Sequence, residues 1–216
     1  SVRDARCHES RPSAALCQDR GQGAARRSAV SLDLGHCSDG ELAALALGGQ
    51  ERAYREFLRR YRDPVYRLVR NTIRDSEEAL DVTQESFVSA FAALKRYDRE
   101  RPFKLWISRI AINKCRDWAR RRAVRSFFTR AQPIEDAFDL ASDGASPETE
   151  AGDRAELGRV SAAIGYLPLK LREALILRAI EGMSQAEAAE ALGVTEKTVE
   201  TRLYRARARL NELLRD

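Results

Sequence analysis

Apolar positions recur at helical spacing in two parts of the chain and lose that rhythm between them. In the first part, Ser38, Asp39, Gly40 and Glu41 form a capping-box signature ahead of a helix that Gly48 and Gly49 close. Ala53, Phe57, Tyr61, Val65, Leu68 and Val69 then predict a second helix, with Pro64 marking a local restart. A third helix follows Asp75. Its predicted apolar line is Leu80, Phe87, Phe91 and Leu94, and Glu77, Glu78, Asp81, Gln84 and Glu85 lie on its other side. A fourth begins near Pro102 and turns Phe103, Trp106, Ile107, Ile110, Cys115 and Trp118 inward. Four such helices can share one core over residues 38–123.

The second periodic part covers residues 156–216. Ser184 is a suitable N-cap for a helix over about 185–192, with Ala188, Ala189 and Leu192 facing inward. Gly193 can take the left-handed conformation that ends a helix abruptly, Val194 can plug the corner, and Thr195 caps the next helix. Val199, Leu203, Ala206 and Leu210 make that helix's buried stripe, leaving Lys197, Glu200, Thr201, Arg202, Tyr204 and Arg205 largely outside. Cap, glycine and cap in this order predict a helix-turn-helix. In that motif the first helix braces the second, and the second enters the major groove with its early residues at base edges. The alternative is a helical hairpin with a solvated charged face. Five basic residues between Lys197 and Arg209 favour DNA, although Glu200 is an acidic exception. The expected fold is therefore all-α: two small helical domains joined by a flexible acidic linker, the C-terminal one a helix-turn-helix.

The linker is placed at 124–155. Its stretch from 131 to 153 holds seven acidic residues and no basic one, with two prolines and scattered Ser and Gly. Residues 1–37 lack helical period and read as a disordered tail; the part before about residue 30 reads as upstream or non-native sequence. That tail contains Cys7, His8, Cys17, His36 and Cys37, whose spacing fits no zinc module, so they read as incidental rather than as a metal or redox sensor. No metal, cofactor or catalytic residue is expected. Both histidines lie in the tail, and no glycine-rich phosphate loop is present.

Composition sharpens the choice of partner. Charged residues make up 33% of the 216-residue chain and the net charge is +5, which suits a polyanion. With no apolar run long enough for a membrane span and no signal-peptide core, the expected location is cytoplasmic, without direct membrane insertion. On the fourth predicted helix, Arg109, Asn113, Arg116, Asp117 and Arg120 form a polar stripe opposite the apolar one. The preceding loop mixes Tyr97, Arg101 and Phe103 with further charges, a pattern that suits single-stranded nucleic acid and an extruded base. The acidic face with Asp81, Gln84 and Glu85 would repel DNA, and it reads either as a docking surface for a basic protein or as a solvated face.

The stretches "DSEEALDVTQESFVSAF" and "FKLWISRIAINKCRDWARRR" and the C-terminal helix-turn-helix, in that order, resemble bacterial sigma factors of the extracytoplasmic-function (ECF) type, in the sigma-70 family, over about residues 38–216. The resemblance implies a transcription initiation factor that binds core RNA polymerase and directs it to promoters. Residues 38–123 would be sigma domain 2 and 156–216 sigma domain 4. Asp81, Gln84 and Glu85 would grip the polymerase clamp helices, and Leu171 and Leu177 would meet the flap. Tyr97, Arg101, Lys104, Arg109, Asn113, Arg116 and Arg120 would read the −10 element. Lys197, Glu200, Thr201, Arg202, Tyr204 and Arg205 would read the −35 element. It further implies an anti-sigma factor as a partner, and an acidic linker that mimics RNA on the way to the exit path. The competing reading is a stand-alone helix-turn-helix regulator, which usually carries a receiver domain; residues 38–123 show no alternation of strands and helices.

Overall fold

The computed structural model describes residues 34–129 and 151–215, and among them it contains helices and no strands. The tail before Leu34 and most of the acidic linker lie outside the described residues. Leu34 to Cys37, expected to belong to the tail, are instead structured. Leu34–His36 form a 3-10 turn whose Leu34 is buried, because the Arg60 guanidinium donates to the Leu34 and Gly35 carbonyls at 2.8 and 2.9 Å.

Helix α1 (Asp39–Leu47) starts as its sequence dictates. The Glu41 amide donates to Ser38 Oγ at 3.2 Å and the Ser38 amide to Glu41 Oε2 at 2.7 Å, closing the capping box. Helix α2 (Glu51–Ile73) runs unbroken through Pro64, so the expected restart does not occur. A proline deletes one backbone donor. Here Ala53 and Phe57 on one side of it, and Val65, Leu68 and Val69 on the other, are all buried on the same core, and that packing outweighs the lost bond. Helix α3 (Ser76–Ala92) is capped by Asp75, which accepts from the Glu78 amide at 3.1 Å. Helix α4 (Phe103–Thr129) begins where Asp39 accepts from the Phe103 amide at 3.0 Å and from the Tyr61 hydroxyl at 2.7 Å. The core of this bundle is aromatic: Phe57 stacks on Phe103 at 4.2 Å between ring centroids, and Tyr54 meets Phe91 edge-on at 4.9 Å.

The expected line on α3 needs one correction. Ala79, Val82, Phe87 and Ala90 are buried, whereas Leu80 is 54% exposed. Leu80 lies roughly a quarter turn from the centre of the buried face, so helical spacing alone brings it near the core without putting it inside. Leu94 is buried, but in a 3-10 turn (Leu94–Arg96) beyond the end of α3.

The second bundle comprises α5 (Ala151–Tyr166), α6 (Leu169–Leu175), α7 (Gln185–Leu192) and α8 (Glu196–Arg215). Helix α6 runs on into a π-helical turn over Ile176–Ile180. Since α4 extends past residue 123 to Thr129 and α5 already begins at Ala151, both ends of the expected linker are helical. The two bundles pack against each other, α7 along α4 and the π turn against α2. One continuous apolar cluster joins Phe57, Ile112 and Cys115 of the first bundle to Ala174, Ile176, Leu177 and Leu192 of the second. Leu177 is fully buried there and is not available to a partner. A Cβ on Gly165 would sit 2.8 Å from Arg74 Nε, so a larger residue there would make the Arg74 side chain shift where it crosses the end of α5.

Candidate promoter and polymerase interfaces

The helix-turn-helix forms as its punctuation implies. Ser184 accepts from the Glu187 amide at 3.2 Å while Glu187 Oε2 accepts from the Ser184 amide at 2.7 Å. Gly193 adopts φ +67°, ending α7 in the left-handed conformation. Thr195 Oγ1 accepts from the Thr198 amide at 3.3 Å and caps α8. Val199 and Ala206 are buried, and Leu203 and Leu210 are half-buried beside them. The opposite side of α8 presents Lys197, Glu200, Thr201, Tyr204 and Arg205, all exposed, with Tyr204 at 74%. Arg202 is half-buried on the flank of that face. Lys197 and Glu200 pair at 3.1 Å, so this carboxylate is partly offset by its own neighbour.

On α4 the candidate residues divide. Arg109, Asn113 and Arg120 are exposed, and Arg120 pairs with Asp117 one turn away. Arg116 is half-buried and spends its guanidinium on Glu173 of α6, with Nε–Oε1 at 2.9 Å and Nη2–Oε2 at 2.7 Å. Hydrogen bonding to the Glu173 carboxylate raises the Arg116 pKa above its ordinary value. Arg101 forms an ion pair with Glu190 of α7. Lys104 lies 3.2 Å from the Glu181 carbonyl and 3.7 Å from its carboxylate. Sequence reasoning did not anticipate Glu173, Glu181 or Glu190 in this setting.

Tyr97 is placed differently from the expectation of an exposed stacking platform. Its ring is buried, edge-on to Phe103 at 5.5 Å and tilted against Trp106 at 5.2 Å, and its hydroxyl donates to the Arg101 carbonyl. Burial, reinforced by the Asp39 and Asp98 charges, pushes the phenol up to about 12. Tyr97 thus shapes the 97–102 loop from beneath. Trp118 is buried under the Arg122 guanidinium, which lies 5.2 Å from its ring, and Trp106 is half-buried. Beside this loop lies a cavity of about 240 Å³, lined by Arg96, Tyr97, Arg101, Trp106 and Arg109 and bounded on the α7 side by Glu190.

The α3 surface carries the third group. Asp81 and Gln84 are exposed, and half-buried Glu85 faces Lys114 at 3.8 Å and Arg121 at 3.7 Å. Leu80 and Val88, at 54% and 63% exposure, flank Gln84 one turn to either side. The result is a mixed apolar and acidic face, which suits a basic amphipathic partner. Among the described residues no cluster of His, Cys, Asp and Glu is placed to hold a metal ion. The two described cysteines, Cys37 and Cys115, are free thiols, and burial followed by the nearby Glu173 charge pushes Cys115 up to about 12. No helix among the described residues is long and apolar enough to cross a membrane.

Each of the two bundles matches a known family profile. Residues 57–125 match the family profile for Sigma-70 region 2, and residues 157–210 that for Sigma-70, region 4. The chain is 41% identical over 180 residues to the RNA polymerase sigma factor CnrH of Cupriavidus metallidurans, covering 82% of this chain and 94% of that protein. It is 34% identical over 177 residues to the ECF RNA polymerase sigma factor SigM of Mycobacterium tuberculosis, covering 82% and 85%. Among solved structures, CnrH in complex with the cytosolic domain of CnrY matches with a TM-score of 0.59 at 35% identity, over 82% of this chain and 96% of that one.

Proposed function

The chain belongs to the RNA polymerase sigma factors of the ECF group, and from that premise we propose how its surfaces divide the work of directing the polymerase to promoters. The α3 face of Leu80, Asp81, Gln84, Glu85 and Val88 docks on the clamp helices of core polymerase. The α4 stripe of Arg109, Asn113, Arg116 and Arg120, with Arg101 and Lys104 at its start, engages the −10 element, and Tyr97 holds the loop's shape rather than stacking on a base. The exposed face of α8 reads the −35 element through Lys197, Glu200, Thr201, Tyr204 and Arg205, with Arg202 beside them. The observation that carries this division is the separation of charge. Two cationic helix faces lie on two different bundles, and the acidic face with apolar residues lies on a third surface. A duplex engages the first two by neutralising phosphates, and a partner protein engages the third.

CnrH was solved with the cytosolic domain of CnrY. By analogy, we assign this chain a protein partner of the anti-sigma kind and a cytoplasmic site of action, where polymerase and DNA are found. The stand-alone regulator reading is not favoured, because the matched family acts with the polymerase and α3 offers a face with no use in DNA binding. The deciding experiment is promoter-dependent run-off transcription with purified core polymerase. Leu80→Asp combined with Val88→Asp should abolish association with the core while leaving the circular dichroism melt intact. Arg205→Ala should weaken transcription from promoters that depend on the −35 element. Duplex binding as tight without polymerase as with it would reject the sigma-type division of labour.

A further inference from the structure

The outward side of α2 has no part in the division of work above. Its exposed residues are six arginines (Arg52, Arg55, Arg59, Arg62, Arg67 and Arg70), two acids, Glu51 and Asp63, and Leu58 at 36%. With about 3.6 residues per turn and a rise of about 1.5 Å, Arg52, Arg55, Arg59, Arg62 and Arg70 fall within about 80° of the helix circumference and span about 27 Å. Few of these charges are spent inside the protein. Arg55 pairs with Glu51 and Arg59 with Glu56, each at 2.7 Å, yet the two arginine side chains stay 71% and 67% exposed. Glu56 is shared with Arg60 at 2.7 Å, so its charge is already balanced. Among the described residues, Arg52, Arg62 and Arg67 pair with no carboxylate.

A merely solvated helix face mixes its signs along its length, and this one is nearly all cationic. Guanidinium forks in a straight row fit a row of phosphates. The exposed set contains no Ser, Thr, Asn or Gln, which help arginine to read base edges, so the face suits backbone rather than sequence. An anionic lipid surface fits less well. An interfacial helix inserts its apolar side, whereas Ala53, Phe57, Val65, Leu68 and Val69 of α2 are sealed in the core. Unpaired bases lack a stacking platform, because Tyr66, the one aromatic within the stripe, is half-buried against that core. We propose that the arginine stripe of α2 is a further nucleic-acid site, which lies along the phosphate backbone of duplex DNA without reading bases. It is separate from the faces of α4 and α8 and does not depend on how those two divide the promoter elements. Such a contact adds affinity at every sequence alike. Tethered in one chain to the sequence-reading faces, it acts at high effective concentration and lengthens residence without changing promoter choice.

Anisotropy titrations of the full chain against a labelled random-sequence duplex of about 30 base pairs, between about 50 and 200 mM salt, test this. Arg52→Gln/Arg55→Gln/Arg62→Gln is compared with the parent and with a charge-matched control, Arg159→Gln/Lys170→Gln/Arg215→Gln, which alters three exposed cations of the second bundle. With one phosphate neutralised per arginine, the slope of log affinity against log salt should be shallower by about 2.7 in the α2 variant than in the control. Low-salt binding should be at least ten-fold weaker than in the control. Lysine at the same three positions should keep the parent's slope and stay within about three-fold of its affinity, since counterion release follows charge. A lysine variant as weak as the glutamine variant overturns the proposal, and so does a glutamine variant that matches the control in slope and affinity. Phosphatidylserine-containing vesicles and oligo-dT of about 20 nucleotides probe the other occupants. If the glutamine variant loses either of these while its duplex slope matches the control, the stripe belongs to that ligand and the duplex assignment fails. With saturating core polymerase, the ratio of run-off transcripts from two promoters that differ only in the −35 element should be the parent's. A changed ratio would mean that α2 reads bases and would overturn the backbone assignment, whereas failure of the −10 and −35 assignments would leave the random-duplex result as it stands.

Discussion

Arg172 offers the sharpest test of how the second bundle is held together. Its guanidinium donates to the Ile164 carbonyl at 3.1 Å, to Leu167 at 2.9 Å and to Gly165, all at the C-terminal end of α5. A further bond of 2.7 Å reaches Thr72, a fully buried residue at the end of α2 in the other bundle. One side chain therefore satisfies orphan carbonyls of two helices and places a cation at the negative ends of both. Burial, with the nearby Arg74 charge adding to it, lowers its pKa, a sign that the bonds are made away from water. In the Arg172→Ala variant the outer carbonyls of α5 rehydrate. The Thr72 bond and one of the inner α5 bonds are lost without replacement. Hydrogen bonds to a charged group contribute about 1.5–3 kcal/mol each, so the expected loss is about 3 kcal/mol. With a urea slope of about 2 kcal/mol per molar, the midpoint should fall by roughly 1.5 M. Arg172→Lys should recover less than half of this, because a compact ammonium cannot span carbonyls on two helices. A lysine variant as stable as the parent, or an alanine variant within about 0.5 kcal/mol of it, would refute the reasoning.

Three further outcomes follow from other parts of the molecule. The Glu56 carboxylate is held down to about 2 by its hydrogen bonds to Arg59 and Arg60, against burial that opposes them. Its depressed pKa adds stability above about pH 4.5, and that stability drains away as the pH falls towards 2; in acid titrations followed by circular dichroism, Glu56→Gln should be less stable at pH 7 and flatter across this window. Gly193→Ala, at φ +67° with no atom within 4 Å of the added Cβ, should cost only backbone strain, about 1 kcal/mol, and Gly193→Asn should cost less in the same thermal melts. Cys115, with its thiol raised to about 12 by burial, should resist iodoacetamide at pH 8 in the native chain and react on unfolding; rapid native labelling read by intact mass would show that the core opens there.

Local punctuation made much of this fold legible. Ser38, Asp75, Ser184 and Gly193 each act within four residues of themselves, and each cap or turn forms as its chemistry dictates. The face of α8 followed from the same logic, since Val199 and Ala206 fix which side is buried. Pattern reading failed where a residue's surroundings come from distant chain. Leu80 falls near the apolar spacing of α3 but a quarter turn off its buried face, and Tyr97 sits in a polar loop yet packs against Phe103 and Trp106. The pairing of Arg116 with Glu173 spans 57 residues, and in sequence Glu173 is one more charge on an amphipathic helix. Nothing short of the packed bundles marks it as a buried partner.

The ion pairs that join α4 to the C-terminal bundle bear on how the free chain responds to electrolyte. A nucleic acid strand that takes over Arg101, Lys104 and Arg116 sheds its condensed cations, but the vacated carboxylates gather cations in return. The two effects partly cancel, so the slope of log affinity against log salt should be shallower than the number of phosphates contacted. Once the carboxylates have been carried away from α4, the full slope should return, and sensitivity to ionic strength becomes a gauge of which partner those three cations are holding.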